Sequence, residues 1–221
     1  MRPAQNELIG IKTNGVRIEG MLDLPQDAAG IVLFAHGSGS SRLSPRNNFV
    51  ARHLQQAHMG TLLLDLLTAQ EDQDYATRFD IALLTRRLNA ACDWLEKNER
   101  TAGLPLGLFG ASTGAAAALQ VAATRGAGIA AVVSRGGRPD LAGDKALQKV
   151  SAPTLLIVGG NDDGVIDLNQ SAYATLHCEK QLEIVPGATH LFDEPGTLEK
   201  VAELAAAWFA QHLTRPASPG A

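Results

Sequence analysis

Leu106-Gly107-Leu108-Phe109-Gly110-Ala111-Ser112-Thr113-Gly114-Ala115-Ala116-Ala117-Ala118-Leu119 is the stretch that decides the fold. A short apolar run, as expected of a buried strand, passes through a turn carrying two glycines into an alanine-rich segment with helical composition. The turn reads G-x-S-x-G. A sharp strand-to-helix turn strains the backbone of its central residue, and glycines two positions to either side let neighbouring chain approach without a Cβ clash. The serine then projects beside a helix N-terminus, whose free N–H groups favour developing negative charge. A serine in such a place can also serve only as a helix cap. Its position between strand and helix makes Ser112 the candidate nucleophile.

Working outward, the same kind of apolar run recurs at Ile31-Val32-Leu33-Phe34-Ala35, Thr61-Leu62-Leu63-Leu64, Ile129-Ala130-Ala131-Val132-Val133, Thr154-Leu155-Leu156-Ile157-Val158 and Leu182-Glu183-Ile184-Val185. Runs of this length suit strands covered on both faces of a parallel sheet. Between them, helical spacing predicts helices over 48–57, 79–96, 112–125, 169–176 and 198–212. In the second of these, Ile81, Leu84, Leu88, Ala91 and Leu95 form one stripe. Upstream, Asn14-Gly15 separates two alternating segments, 8–13 and 16–24, and predicts a hairpin. Strand–helix alternation behind a hairpin implies an open, mainly parallel α/β sheet with helices on both faces. Reactive residues in such sheets stand on loops at the carboxyl ends of the strands.

The chain has 221 residues, enough for one domain, expected over 1–213, with a Pro-, Ser- and Gly-rich tail at 214–221 expected to be disordered. Its 19 basic and 23 acidic side chains leave a net charge of −4, which gives no electrostatic footprint for nucleic acid or an anionic membrane. No window approaches the length of a membrane span and no apolar leader follows Met1, so the default location is cytoplasmic. Cys92 and Cys178 stand far apart and read as free thiols.

Two more loops carry chemistry. After the next-to-last parallel run comes Gly159-Gly160-Asn161-Asp162-Asp163-Gly164-Val165, and after the last Pro186-Gly187-Ala188-Thr189-His190-Leu191-Phe192. An acid and then an imidazole follow Ser112, the order used by serine hydrolases built on such sheets. His190 would take the serine proton and pass it to the leaving group, while a carboxylate holds the ring tautomer. Of the other histidines, His53, His58, His177 and His212 lie within or at the ends of helical patterns, and His36 opens a glycine loop. Asp162 is the favoured acid, because Val165 three residues on turns it inward. Asp163 reads as a turn residue before Gly164, and Asp167 stands third.

The loop Ala35-His36-Gly37-Ser38-Gly39-Ser40-Ser41 has the small residues needed to bring a backbone N–H to a developing oxyanion. Ser38 and Thr113, the residue after the nucleophile, are the two expected donors. A phosphate loop is the alternative, but neither the Gly-Lys-Ser/Thr ending nor G-x-G-x-x-G is present. Hairpin, His-Gly loop, Gly110-Ala111-Ser112-Thr113-Gly114, Asp162 and His190 together resemble the dienelactone-hydrolase-like branch of the α/β-hydrolases, over about Leu8 to Leu213. That resemblance implies a hydrolase of carboxylic ester or lactone bonds that needs no metal and no cofactor. Dienelactone hydrolases proper use a cysteine where this chain has Ser112, so the expectation shifts from lactones to a general carboxylesterase (EC 3.1.1).

In this fold a cap domain usually follows the strand after the nucleophile helix, and residues 134–153 are too few to build one. An open site suits small, soluble esters. Arg42, Arg46, Arg135 and Arg138 sit on loops or strand ends at the same edge and are candidates for an anionic substrate group, or else for internal salt bridges to acids such as Asp140. The acidic run Glu71-Asp72-Gln73-Asp74 reads as a solvated loop. Thioester, lactone or amide cleavage and acyl transfer by the same residues are the alternative reactions, and a non-catalytic binding module is the alternative class. The sequence is compatible with a homodimer.

Overall fold

The computed structural model describes residues 6–213, so the expectation for the 214–221 tail lies outside the described residues. Strands β1 (Glu7–Thr13) and β2 (Val16–Asp23) form the hairpin. Its turn residues Asn14 and Gly15 have φ of 47° and 77°, the left-handed pair that matches the twist of the flanking strands. Then come β3 (Ile31–Ala35), α1 (Pro45–Gln56), β4 (Gly60–Leu64), α2 (Ile81–Lys97), β5 (Leu106–Ala111), α3 (Thr113–Arg125) and β6 (Ala131–Arg135). The chain ends with α4 (Asp144–Leu147), β7 (Thr154–Gly159), α5 (Asp163–Thr175), β8 (Lys180–Val185) and α6 (Thr197–His212).

The eight strands form one sheet in the order β1-β2-β4-β3-β5-β6-β7-β8. β1 and β2 run antiparallel, β2 joins β4 antiparallel, and all remaining pairs are parallel. β3, β4, β5, β6 and β7 are buried along their whole length, which is why their sequences are mainly apolar rather than alternating, with Thr61, Ser134, Arg135 and Thr154 as buried exceptions. One core layer packs α2, α3 and α5 on the sheet, and a second packs α1 and α6 on its other face. The alanines of α3, Ala115 to Ala118, are wholly buried, so this helix lies close against the strands.

Element boundaries differ from the sequence reading at three places with physical causes. α1 begins at Pro45 rather than at 48, because Ser44 accepts the Asn47 N–H and proline fits the first helical turn. β6 runs to Arg135 instead of ending at Val133, since Gly126–Gly128 takes up a 3₁₀ turn and delays the strand. α5 starts at Asp163 rather than 169, with the Asp162 carbonyl accepting from the Val165 and Ile166 amides. The last two shifts place Arg135 inside the sheet and Asp162 at the entry to a helix.

Candidate active site

Ser112 has φ 50° and ψ −121°, a conformation that costs a non-glycine residue of order 1–3 kcal/mol. The tertiary contacts hold it there. Its N–H donates to the Arg135 carbonyl at 3.2 Å, and its carbonyl accepts from the Ala115 and Arg138 amides at 3.1 Å each. A Cβ at Gly110 would collide with the Ala115 backbone, and one at Gly114 with the Ala35 carbonyl. Both glycines of the motif are therefore needed for close backbone approach. The Ser112 side chain makes no capping bond to α3, which leaves its hydroxyl free and removes the helix-cap reading.

The His36 loop lies against this turn: a Cβ on Gly37 would stand 2.9 Å from Ser112 Cβ. The buried His36 ring ties the loop down at both nitrogens. Nε2 accepts the Leu66 N–H at 3.0 Å, so Nδ1 carries the proton and donates to the Gly37 carbonyl at 2.9 Å. The Gly37 carbonyl and the Ser38 N–H belong to one rigid peptide unit, so this bond also sets where the Ser38 N–H points. The Ser38 and Thr113 N–H groups donate to no carbonyl among the described residues, and both residues line one cleft.

Burial pushes the His36 pKa below its ordinary value, and only the neutral ring can accept the Leu66 N–H. The unfolded chain therefore binds more protons than the folded one as pH falls below about 6.5. Stability should be full above that pH and decline through the window between it and the depressed folded value. A His36→Gln variant should be less stable at pH 7 and should show a shallower decline between pH 7 and 5, read from denaturant midpoints. An unchanged slope would mean that another group carries the dependence.

The acid and imidazole loops are stitched together. Gly160 N–H donates to the Val185 carbonyl at 2.8 Å and Asn161 N–H to the Ala188 carbonyl at 2.9 Å, while a Cβ on Gly159 would strike the Ala188 carbonyl. This brings Asp162 Oδ2 to 2.7 Å from His190 Nδ1. The Asp162 side chain is 17 % exposed and caps nothing, whereas Asp163 lies exposed in the first turn of α5 and Asp167 points to solvent on the same helix. The His190 loop is fixed in turn by Glu194, which accepts from both the N–H and the hydroxyl of Thr189, bonds that hold its carboxyl below the usual range. Phe192, fully buried at φ 57°, anchors the loop from beneath. Gly136, next to the residue that receives the Ser112 N–H, packs on the His190 ring with its Cβ position 3.5 Å from Nδ1. Ser112 Oγ itself makes no hydrogen bond to His190, as is common before substrate binds.

The four arginines all have internal partners. Arg42 pairs with Asp65 and Glu19, Arg46 with Asp193, and Arg138 with Asp140 through two bonds of 2.9 and 2.7 Å. Arg135 is buried beneath the His190 loop, bonded to Asn47 and 5.8 Å from the Phe192 ring centre; burial, with repulsion from Arg46, pulls its pKa down to about 10. The salt-bridge reading therefore describes Arg42, Arg46 and Arg138. The acidic run is a partly exposed loop whose acids have fixed partners. Glu71 pairs with the buried Arg87, Asp72 holds Arg78, and Asp74 accepts from Ala76 and Thr77. Arg78, which the sequence did not single out, lines the cleft with Ser38 and Thr113. Only its place six residues beyond an acid that orients it could have drawn attention, and that signal is too weak to use.

Both cysteines are free. Cys92 is buried, its thiol pushed up to about 12, and Cys178 is half-buried with its pKa also raised by burial, so neither is a nucleophile at neutral pH. Among the described residues no three His, Cys, Asp or Glu side chains are grouped to hold a metal. No helix among them is long and apolar enough to cross a membrane.

A family model described as an alpha/beta hydrolase domain matches residues 28–213. The chain belongs to the α/β-hydrolase family. The crystal structure of a dienelactone hydrolase from Anabaena variabilis is 54 % identical, with a TM-score of 0.92 over 95 % of this chain and 99 % of that one. Est1E from Butyrivibrio proteoclasticus superposes at TM-score 0.80 over 93 % of this chain and 98 % of Est1E, but at 16 % identity that likeness speaks to fold alone. Two Mycobacterium tuberculosis proteins provisionally named phosphoribosyl transferases are 54 % identical over 218 residues, 99 % of this chain. This α/β-hydrolase chain spans about half their length, 49 %.

Proposed function

We propose that this α/β-hydrolase is a serine esterase (EC 3.1.1) that cleaves carboxylic esters through an acyl-enzyme on Ser112. The observation that carries the reading is the Asp162–His190 pair at 2.7 Å, on loops at the same sheet edge as a strained Ser112 whose side chain caps nothing. In this reaction His190 Nε2 takes the Ser112 hydroxyl proton as Oγ attacks the ester carbonyl carbon. The carbonyl oxygen, now an oxyanion, accepts from the Ser38 and Thr113 N–H groups. Collapse expels the alcohol, which receives the proton from His190 and leaves the acyl group on Oγ. Water then repeats the sequence, with His190 as its base, and the acid departs. Asp162 keeps the proton on Nδ1, so that Nε2 faces the serine, and stabilises the imidazolium.

The transferase name of the mycobacterial relatives concerns, on this proposal, the half of those proteins that this chain does not match, since the matched half has a hydrolase's architecture. This chain alone should hydrolyse esters and leave a phosphoribosyl diphosphate donor intact, with no diphosphate released. Thioesters, lactones and amides can be attacked by the same residues, and comparative kcat/KM values would rank them. The direct test is a fluorophosphonate probe followed by peptide mapping. The expected result is one adduct, on Ser112. An adduct on another residue, or none in a protein that turns over esters, overturns the assignment.

A further inference from the structure

Six large apolar side chains stand exposed among the described residues: Leu8, Leu43, Tyr75, Phe79, Ile184 and Leu191. Leu8 and Ile184 belong to the edge strands β1 and β8. The other four lie on three loops that leave the carboxyl ends of β3, β4 and β8, the edge where Ser112 and His190 stand. Tyr75 and Phe79 are 71 % and 39 % exposed and pack on each other, ring centres 5.0 Å apart.

Their loop is not slack. Asp74 accepts from the Ala76 N–H and the Thr77 hydroxyl, Arg78 Nε donates to the Asp72 carbonyl at 2.8 Å, and Glu71 reaches the buried Arg87. These bonds fix the chain around the two rings, which stand exposed. The loop also meets the glycine loop that carries Ser38. Arg78, between the two aromatics in sequence, lines the cleft of Ser38 and Thr113, and the Cβ position of Gly39 is 3.4 Å from its guanidinium. Leu191 directly follows His190. Between β6 and β7 the chain forms only a 3₁₀ turn (Pro139–Ala142) and the four-residue α4, and neither is long enough to cover this rim.

We propose that Tyr75, Phe79, Leu191 and Leu43 form an apolar rim that receives an aromatic or comparably bulky apolar group of the ester. This rests on the esterase reading and narrows its substrate class from carboxylic esters in general to arylalkyl ones. Apolar side chains on loops beside a few polar groups are the usual composition of a small-molecule site, and paired rings offer an edge or face to a third.

The test compares ethyl acetate with ethyl 3-phenylpropanoate, and with benzyl acetate for the alcohol side, in the full chain and in Tyr75→Ser/Phe79→Ser. The wild type should prefer one of the two arylalkyl esters. The variant should lose about tenfold or more in kcat/KM on that ester and stay within about twofold on ethyl acetate, the scale expected for apolar pocket contacts. Its rate of fluorophosphonate labelling should be unchanged. Leu191→Ser provides a second reading should the double variant fold poorly. Equal losses on all esters, or none, overturn the inference. Unchanged selectivity with an altered elution volume or altered binding to lipid vesicles also overturns it and makes the rim a docking surface. Unchanged selectivity with Ser112 still labelled sinks the rim alone, whereas absence of both labelling and ester turnover sinks the esterase reading and the rim with it.

Discussion

Ser112→Ala is expected to lower ester turnover by about 10⁶-fold, the scale seen when a triad serine is removed. The proposed reaction passes through a covalent bond to Ser112 Oγ, and alanine offers no atom to form it. What remains is binding and two N–H donors, which leave a residual acceleration of about 10³–10⁴ over water. The fold should survive, because the Ser112 side chain caps nothing and its strained φ of 50° is held by backbone bonds that alanine keeps. The readouts are kcat on the preferred ester and the thermal midpoint. An intact midpoint with activity within about tenfold of wild type would remove Ser112 from the chemistry.

Asp162→Asn is the second large effect, expected near 10⁴-fold in kcat with KM little changed. Asparagine keeps the shape of the side chain, but its amide can present an N–H to His190 Nδ1. That stabilises the tautomer with Nδ1 as acceptor and the proton on Nε2, which then cannot take a proton from Ser112. The Asp162 side chain makes no capping bond, so the start of α5 should be undisturbed. Asp163→Asn is the matched control. Asp163 lies exposed in the first turn of α5, away from the 2.7 Å contact, and its variant should retain nearly full activity. The reverse pattern would move the acid by one residue.

The elements legible in the sequence were those whose burial is uniform or periodic. β3, β5 and β7 read as continuous apolar runs because both faces are covered, and the Asn14-Gly15 turn was legible because its two left-handed residues favour those types. Gly110 and Gly114 betrayed the turn for the same kind of local reason. β6 was placed two residues early because Ile129 and Ala130 are as apolar as the strand they precede, and nothing local says where pairing with β5 begins. The start of α5 is not legible because Asp163 and Gly164 have the composition of a turn, and only the Asp162 carbonyl, which accepts two amides, makes them helical.

The sequence by itself determined the α/β-hydrolase fold, the strand-to-helix turn around Ser112, and the loops that carry the acid and the imidazole, since each is written in hydrophobic period or in residues with special backbone freedom. Only the tertiary structure decided which of two adjacent carboxylates meets His190, which acids hold Arg42, Arg46 and Arg87, and that an acidic run is an anchored loop followed by two exposed, paired aromatic rings. These depend on side chains distant in sequence meeting across loop crossings. Asp162 meets His190 only because Gly160 and Asn161 bond to the β8 loop, and Glu71 finds Arg87 only because α2 packs beneath it. Strand order and crossover set such meetings, and local composition carries almost no trace of them.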